Sequence, residues 1–306
     1  MALAPSLPPP LDTGRAPEGG DVASIQSGWR LAVREFARNR LAVLGVGLLV
    51  FFVVLCYLGP LFYHGNILST NPDAVLLPPG AGHPLGTDPE GLDVLGELMK
   101  GGQASLEVGF FAAVVGMVIG TFVGAISGLV GGVVDSVLMR VVDVFLSIPF
   151  LFIILIVAER YGATILSLSL IIGAFTWLVP ARLIRGEVLT LRVRDFVSAA
   201  KVAGSGQLRM INRHLLPNAL SVIIVNITFS VANAILAVAT LGFLGFGLHY
   251  PTVDWGDMLS QGVTYLESGE WWLIYPAGIC IVLVVMACNL IGDALRDSLD
   301  VRLRRR

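Results

Sequence analysis

The chain has 306 residues, of which 55% are hydrophobic and 14% are charged, and its mean hydropathy is +0.81. Soluble domains carry about 25% charged residues, so this composition excludes an ordinary soluble protein and predicts an all-α polytopic membrane protein. The net charge of -2 carries little information because the positive and negative residues are segregated along the chain, and no nucleic-acid partner is expected. The cysteines, Cys56, Cys280 and Cys288, lie in apolar runs, and their spacing predicts neither a disulfide framework nor a zinc site.

The N-terminal part of the chain divides into a tail and two helices. Residues 1–28 are rich in Pro, Gly and Ala and are predicted to be a disordered cytoplasmic tail. Residues 29–62 are expected to combine an amphipathic helix with the first transmembrane helix. Up to Arg40, apolar side chains share one helical face and arginines recur every four residues on another, which is typical of a helix on the membrane surface. From Leu41 to Phe62 the run is apolar and reaches the roughly 20 residues that a bilayer requires.

Residues 63–104 are predicted to be an extracytoplasmic loop, because acidic residues dominate them and Lys100 is their single Lys or Arg. Three residues of this loop, His83, Asp88 and Asp93, are candidate metal ligands. We expect the two aspartates to cap turns and a short helix instead, because no second cluster completes a metal site.

Residues 105–292 are predicted to form a core of five further transmembrane helices. The second span, from Ser105 to Leu129, carries a small residue at every fourth position along one stripe. The glycines of this stripe are Gly116, Gly120, Gly124 and Gly128. In lipid, helices associate through close van der Waals contact, so this stripe predicts a tight helix interface.

A third span is expected to end near Val157 and a fourth to cover residues 164–183. Within the third span, Arg140 and Asp143 are three residues apart and can pair. Because an unpaired carboxylate is costly in a membrane, Asp143 is expected to be paired or to lie near the interface. Pro149 is expected to kink this helix.

The fifth span runs from Pro217 to about Leu244 and carries two asparagines on one face. Asn226 and Asn233 are seven residues apart, so they could line a polar route for a substrate or form hydrogen bonds across helices as structural contacts. Hydrogen bonds across helices are the favoured interpretation, and both asparagines remain candidates for the translocation path.

A sixth span, from Trp271 to about Ile291, precedes a basic tail at residues 293–306. The cations concentrate in residues 30–40, in the loop at residues 184–216 and in this tail. The positive-inside rule then predicts that both termini and that loop lie in the cytoplasm, which agrees with six spans.

The loop at residues 184–216 contains its own helix signals. Asp195 is positioned to cap a short helix, which Gly204 is expected to end in the left-handed conformation. Small and apolar residues share one face of this helix; they are Phe196, Ala199, Ala200 and Ala203. Ser205 is expected to cap a second helix, and Pro217 suits the first turn of the next span.

This segment resembles the coupling loop of the permease subunits of ATP-binding-cassette importers. The resemblance consists of a helix with a small-small-x-x-x-Gly pattern followed by His-Leu-Leu-Pro-Asn, and Ser198 stands where the family usually has Glu. The residues that keep the pattern are Ala199, Ala200, Gly204, His214, Leu216, Pro217 and Asn218. The resemblance implies an ATPase-coupling surface made of Phe196, Ser198, Ala199, Ala200, Ala203, Gly204, His214, Pro217 and Asn218.

Two further segments resemble the dipeptide and oligopeptide branch of these importers. The first reads Gly-Thr-Asp-Pro-Glu-Gly-Leu-Asp, with Leu92 where the family commonly has Arg. The second is Trp-Gly-Asp-Met-Leu, which begins at Trp255. Together with the loop, they imply a C-type permease subunit in the inner membrane of a bacterium. The substrate implied is a di- or oligopeptide, although relatives in this branch also carry nickel, haem, opines or glutathione.

The resemblance also implies the partners of the chain. These are a homologous B-type permease, one or two cytoplasmic ATPase subunits, an extracytoplasmic substrate-binding protein and membrane lipid. The chain contains no G-x-x-x-x-G-K-[ST] motif, so ATP and Mg²⁺ are expected to be bound by the partner ATPase. No cofactor, metal site or catalytic residue is expected in this chain.

Two other functional classes make different predictions. An ion-coupled carrier should show inverted repeats, broken helices or several buried ionisable residues at mid-membrane depth. The sequence shows no clear repeat, and its ionisable residues cluster near the ends of the spans. A membrane enzyme would need a nucleophile and a base, or a metal pair, near one interface. The four histidines are instead scattered over loops on both sides.

Overall fold

The structure is a computed structural model that describes residues 33–161, 164–248 and 251–304. Its helices are α1 Arg40–Phe62, α2 Val94–Val130, α3 Gly132–Ser147, α4 Phe150–Tyr161, α5 Ile165–Thr176, α6 Leu178–Leu191, α7 Asp195–Val202, α8 Gln207–Met210, α9 Leu216–Phe243, α10 Trp255–Thr264 and α11 Tyr275–Arg304. Short 3₁₀ turns cover Pro72–Ala74 and Trp271–Leu273, and a π-helical turn, Ile211–Leu215, joins α8 to α9. The predicted all-α fold is confirmed.

The N-terminal predictions are only partly covered by the structure. The tail predicted at residues 1–28 and the start of the amphipathic helix lie outside the described residues. Residues 33–38 are helical, and Asn39 caps α1 by accepting hydrogen bonds from the backbone N–H groups of Leu41 and Ala42. This cap separates the helical residues 33–38 from α1.

Four helical stretches within the described residues are long and apolar enough to cross a membrane: Arg40–Phe62, Val94–Val130, Gln207–Phe243 and Trp271–Leu299. Two further pairs of helices pass the same test together but are bent. The α3–α4 pair bends by 85° and the α5–α6 pair by 45°, so the described residues provide six spans if each bent pair counts as one.

Both bends lie close to a proline. The first separates α3 from α4 at Ile148 and Pro149, so Pro149 interrupts the third span rather than only kinking it. The second falls at Trp177, inside the span predicted at residues 164–183. Pro180 lies in the first turn of α6. Backbone N–H groups in a first turn have no partner within the helix, so a proline there costs no helical hydrogen bond.

Helix α2 lies at the centre of the bundle and contacts α1, α5, α6 and α9. It begins at Val94 instead of Ser105, so the expected loop is shorter than predicted. Asp93 caps the new start by accepting a hydrogen bond from the backbone N–H of Gly96 at 2.8 Å. The polar first turns of α2 are helical because the rest of the protein covers them.

The glycine stripe of α2 faces α5 and α6 of the same chain. A Cβ atom at Gly120 would lie 2.7 Å from the carbonyl oxygen of Trp177 and 2.7 Å from Cβ of Pro180, and one at Gly128 would lie 2.9 Å from Cβ of Val188. Cβ positions at Gly116 and Gly124 meet Thr176 and Ala181 in the same way. The stripe therefore brings α2 into backbone contact with the bent α5–α6 pair.

Candidate functional site

Helix α7 is the short helix of the loop that follows α6. Two of its side chains, Val197 and Ala200, are buried against a cluster that includes Ile184 of α6 and Met210 of α8. Because α7 has only eight residues, these contacts fix its orientation. The helix is therefore attached to the end of α6, the second half of a bent span.

The other side of α7 is exposed and mostly apolar. Ser198, Ala199 and Ala203 are exposed, and Val202 is 91% exposed. The face predicted from sequence was therefore wrong in part, because Ala200 packs against the protein itself and Phe196 is half-buried beside it. Val202 also lies on this exposed side and is not among the residues predicted from the sequence.

The ends of α7 differ from the predicted caps. Arg194 occupies the N-cap position without a side-chain hydrogen bond and Asp195 is the first helical residue, so the prediction that Asp195 caps the helix was wrong. At the other end, Gly204 has a φ of 77°, as predicted. Ser205 does not cap the next helix, because Gly206 takes that position. Gly204 therefore forms the left-handed turn after α7, and Gly206 is the N-cap residue of α8.

The second half of the loop continues directly into the membrane span. From Gln207 the backbone passes through the π-helical turn into α9 without a break. The side-chain amide of Asn218 donates a hydrogen bond to the carbonyl oxygen of His214 at 2.6 Å. This bond lies where the π-helical turn passes into α9.

Three arginines, two in α6 and one at its C-cap, connect this helix to its neighbours. Arg185 binds Asp135 of α3 with two hydrogen bonds of 2.5 and 2.6 Å, and Asp135 also accepts one from Ser127. Arg192 donates to the carbonyl oxygen of Gly128 at 3.0 Å. These contacts join α2, α3 and α6 at the end of the bundle where α7 is attached.

The third arginine corrects a prediction. Asp143 pairs with Arg182 of α6 and not with Arg140, its neighbour on α3. Both side chains of this pair are about half exposed, whereas those of Asp135 and Arg185 are 17% and 32% exposed.

We expect the Asp135–Arg185 pair to be the stronger of the two. A bidentate pair that is largely shielded from water should show a coupling free energy of about 1–2 kcal/mol in a double-mutant cycle with Asp135→Ala and Arg185→Ala. The half-exposed Asp143–Arg182 pair serves as the matched control and should show less than about 1 kcal/mol. Denaturant unfolding of the purified protein measures both cycles, and equal coupling in the two pairs would contradict this ranking.

A cavity of about 560 Å³ lies between the two bends. Its wall includes Ile148 and Pro149 from the first bend, Leu178 and Pro180 from the second, and one face of α9. No charged residue lines it, and its polar groups are Ser147, Thr176, Asn226, Ser230 and Asn233 together with backbone atoms.

Both asparagines of α9 are among the residues that line this cavity. The side-chain amide of Asn226 donates to the carbonyl oxygen of Val222 on its own helix at 2.7 Å, and Asn233 is exposed. Neither makes a hydrogen bond to another helix among the described residues. The geometry therefore favours the first of the two interpretations, a polar lining.

The end of the bundle opposite α7 is a covering layer of loops and short helices. The indole N–H of Trp255 donates to the carbonyl oxygen of Leu98, and the indole N–H of Trp272 donates to that of Thr87. Asp254 caps α10 through the N–H groups of Gly256 and Asp257. Burial raises the pKa of Asp254, and these backbone donors act in the opposite direction.

The candidate metal ligands of the loop have structural partners. His83 Nδ1 lies 2.8 Å from Asp93 Oδ2, and the hydroxyl of Tyr63 donates to the same oxygen at 2.7 Å. Burial, followed by the hydrogen bond to Asp93, raises the pKa of Tyr63 and keeps it a neutral donor. Asp88 accepts from the backbone N–H groups of Glu90 and Leu92. Within the part of the chain that the structure describes, no three His, Cys, Asp or Glu residues are placed to hold a metal ion.

Comparison with known proteins decides the family. Residues 120–305 match the model of the binding-protein-dependent transport system inner membrane component, and residues 27–79 match the N-terminal transmembrane domain of oligopeptide transport permease C. The chain belongs to this permease family. The first match covers more than half of the chain and contains the α5–α6 bend, α7 and α9.

Similar proteins cover almost the whole chain. The dipeptide transport system permease protein DppC of Alkalihalophilus pseudofirmus is 35% identical over 304 residues, which are 99% of this chain and 97% of that protein. The oligopeptide transport system permease protein OppC of Escherichia coli is 38% identical over 283 residues, 90% of this chain and 92% of the relative. OppC of Mycobacterium tuberculosis is 39% identical over 274 residues, 88% of the chain and 93% of the relative.

Proposed function

We propose that this permease is the C-type transmembrane subunit of an ATP-driven importer and forms half of the translocation path for di- or oligopeptides. The homologous B-type subunit forms the other half, and one or two cytoplasmic ATPase subunits supply the energy. An extracytoplasmic binding protein delivers the substrate. The positive-inside rule assigns both termini to the cytoplasm, because the cations concentrate in residues 30–40, 184–216 and 293–306.

The observation that carries the proposal is α7. It presents exposed methyl groups at Ala199, Val202 and Ala203, and it is held by the cluster at the end of α6. A second protein can contact this small apolar surface. Because the surface is attached to a bent span, a movement of that protein would move the span as a rigid body. The family motif also lies in this loop, and the permease relatives named DppC and OppC support a peptide substrate.

The cavity between the bends supports the same substrate class. It is uncharged, and the amides of Asn226 and Asn233 can exchange hydrogen bonds with peptide groups of any sequence. The wall also moves if either bend moves, because residues of both bends form it. An uncharged lining favours a substrate class with variable side chains over a metal ion, which would need several oxygen, nitrogen or sulfur ligands.

Replacing Val202 with Asp tests the contact with the ATPase. We expect the variant to insert normally but to retain about tenfold less ATPase after purification and to lose ATP-dependent uptake of a labelled dipeptide, since it puts a charge into an apolar contact. Val133→Asp is the matched control, because Val133 is 79% exposed in the first turn of α3 and lies outside α7.

Two results would overturn the proposal. The first is retention of the ATPase by Val202→Asp at the level of Val133→Asp. The second is accumulation of solute by the purified permease alone in vesicles, without any nucleotide-hydrolysing subunit.

A further inference from the structure

A second cavity, of about 490 Å³, opens at the end of the bundle opposite α7. Its wall is formed by the loop before α2, the first turn of α2 and the start of α10. The residues that matter here are Asp88, Glu90, Glu97, Thr252, Asp257 and Gln261. We call it the outer acidic cavity, and it shares no residue with the cavity between the bends. Helix α2, with 37 residues and a length of about 55 Å, separates it from α7.

Glu97 is the feature of this cavity that calls for a ligand. Glu97 is only 6% exposed, and it lines the cavity. Its carboxylate neither accepts a hydrogen bond from any described residue nor forms an ion pair with one. A carboxylate that is mostly buried and has no protein partner is costly, so a donor or a cation beside it is favourable. A donor or a cation that enters the cavity would reach Glu97.

The other acids of the wall increase the demand for positive charge. Burial is the main cause that raises the pKa of Asp88 and of Asp257, and a cation in the cavity would act in the opposite direction by favouring their ionised forms. No Lys, Arg or His is among the residues that line it. Lys100, one turn further along α2, is exposed and donates to Gln103.

We propose that the outer acidic cavity accepts a Lys or Arg side chain of the extracytoplasmic binding protein when that protein docks on the permease. The inference rests on the proposed function for the existence of such a partner, and it adds the site and the chemistry of the contact. A guanidinium carries five N–H donors, which suits carboxylates and the neutral groups of Thr252 and Gln261 spread over one wall. A metal ion fits less well, because the acids do not converge on one point.

Affinity measurements on the full transporter complex in lipid nanodiscs test the proposal. The probe is the binding protein recovered with the complex, and its dissociation constant is measured for the native permease, Glu97→Gln and Asp257→Asn. We expect each variant to bind it about tenfold more weakly, because one partner of a desolvated charge pair is lost. The native affinity should also fall more steeply with added NaCl than that of the variants.

Matched controls replace acids that do not line the cavity. Glu267→Gln and Asp73→Asn remove exposed carboxylates outside this wall and should change the affinity less than about twofold. Glu90→Lys addresses the case in which Glu97→Gln does not fold. Glu90 is exposed at the wall, so a lysine there can place its own ammonium in the cavity. This variant should raise the thermal stability of the permease and weaken docking about tenfold.

Several results would overturn the proposal. Unchanged affinity in Glu97→Gln and Glu90→Lys would remove the docking role. Binding of free L-argininamide that depends on Glu97, with no effect on the binding protein, would indicate a small-cation site and equally contradict docking. Because α7 lies at the other end of α2, loss of this inference would leave ATPase retention and its test with Val202→Asp unaffected.

Discussion

Replacing Gly204 with Val is expected to lower ATP-dependent uptake about tenfold while the permease still inserts and folds. Nothing lies within 4 Å of the position that a Cβ atom would occupy, so the side chain meets no neighbour. The cost comes from the φ of 77°, because the left-handed conformation costs a residue other than glycine about 1–2 kcal/mol. A cost of about 1.4 kcal/mol lowers the population of a conformation tenfold. The left-handed turn at Gly204 would therefore be populated less, and α7 would lose its defined end. Uptake of a labelled dipeptide into proteoliposomes that contain the whole complex measures the effect.

Two control variants separate the backbone from the side chain. Gly186→Val makes the same substitution in α6, where there is also open space around the glycine but no positive φ, and should transport normally. Gly204→Asn should keep more uptake than Gly204→Val, since asparagine tolerates the left-handed conformation. Equal loss in Gly204→Asn and Gly204→Val, or native uptake in both, would show that the turn at the end of α7 has no part in coupling.

The left-handed turn could be predicted because it depends on one residue and its immediate neighbours. The exposed face of α7 could not, because helical spacing shows which residues share a side but not which side the rest of the protein covers. Ala199 and Ala200 look alike in the sequence, yet Ala200 packs beside Val197 in the cluster at the end of α6. Burial is decided by tertiary packing.

The ion pairs show the same limit over a longer distance. Arg140 was the expected partner of Asp143 because sequence spacing reveals only neighbours on one helix. The actual partner, Arg182, lies on α6, which the bent spans bring beside α3. Asp135 and Arg185 are likewise 50 residues apart.

The bends were only partly visible in the sequence. Pro149 indicated the first bend. Pro180 indicated the second bend, but the span at residues 164–183 was predicted to be continuous. The early start of α2 had a signal in Asp93, a favourable N-cap residue. The first turns of α2 nevertheless resemble a polar loop until Trp255 and Trp272 cover this end of the bundle.

Replacing Gly120 with Leu is expected to destabilise the permease by about 3 kcal/mol or more, beyond the usual range for overpacking. The new Cβ would stand 2.7 Å from the carbonyl oxygen of Trp177 and 3.0 Å from the backbone nitrogen of Ala181. Both are backbone atoms, so α5 and α6 would have to move away from α2 together. The unfolding temperature of the purified chain in detergent measures the loss.

Gly47→Leu is the matched control, because Gly47 lies in the membrane span α1 and nothing is within 4 Å of its Cβ position. It should unfold at the native temperature. The isolated chain is the informative sample. The sequence alone allowed the glycine stripe to pack against another subunit, whereas here its neighbours, which lie within residues 173–188, belong to the same chain. If Gly120→Leu were as stable as Gly47→Leu in isolation and failed only when the partner permease was added, the stripe would be an interface between subunits and the contact of α2 with the bent α5–α6 pair would be incorrect.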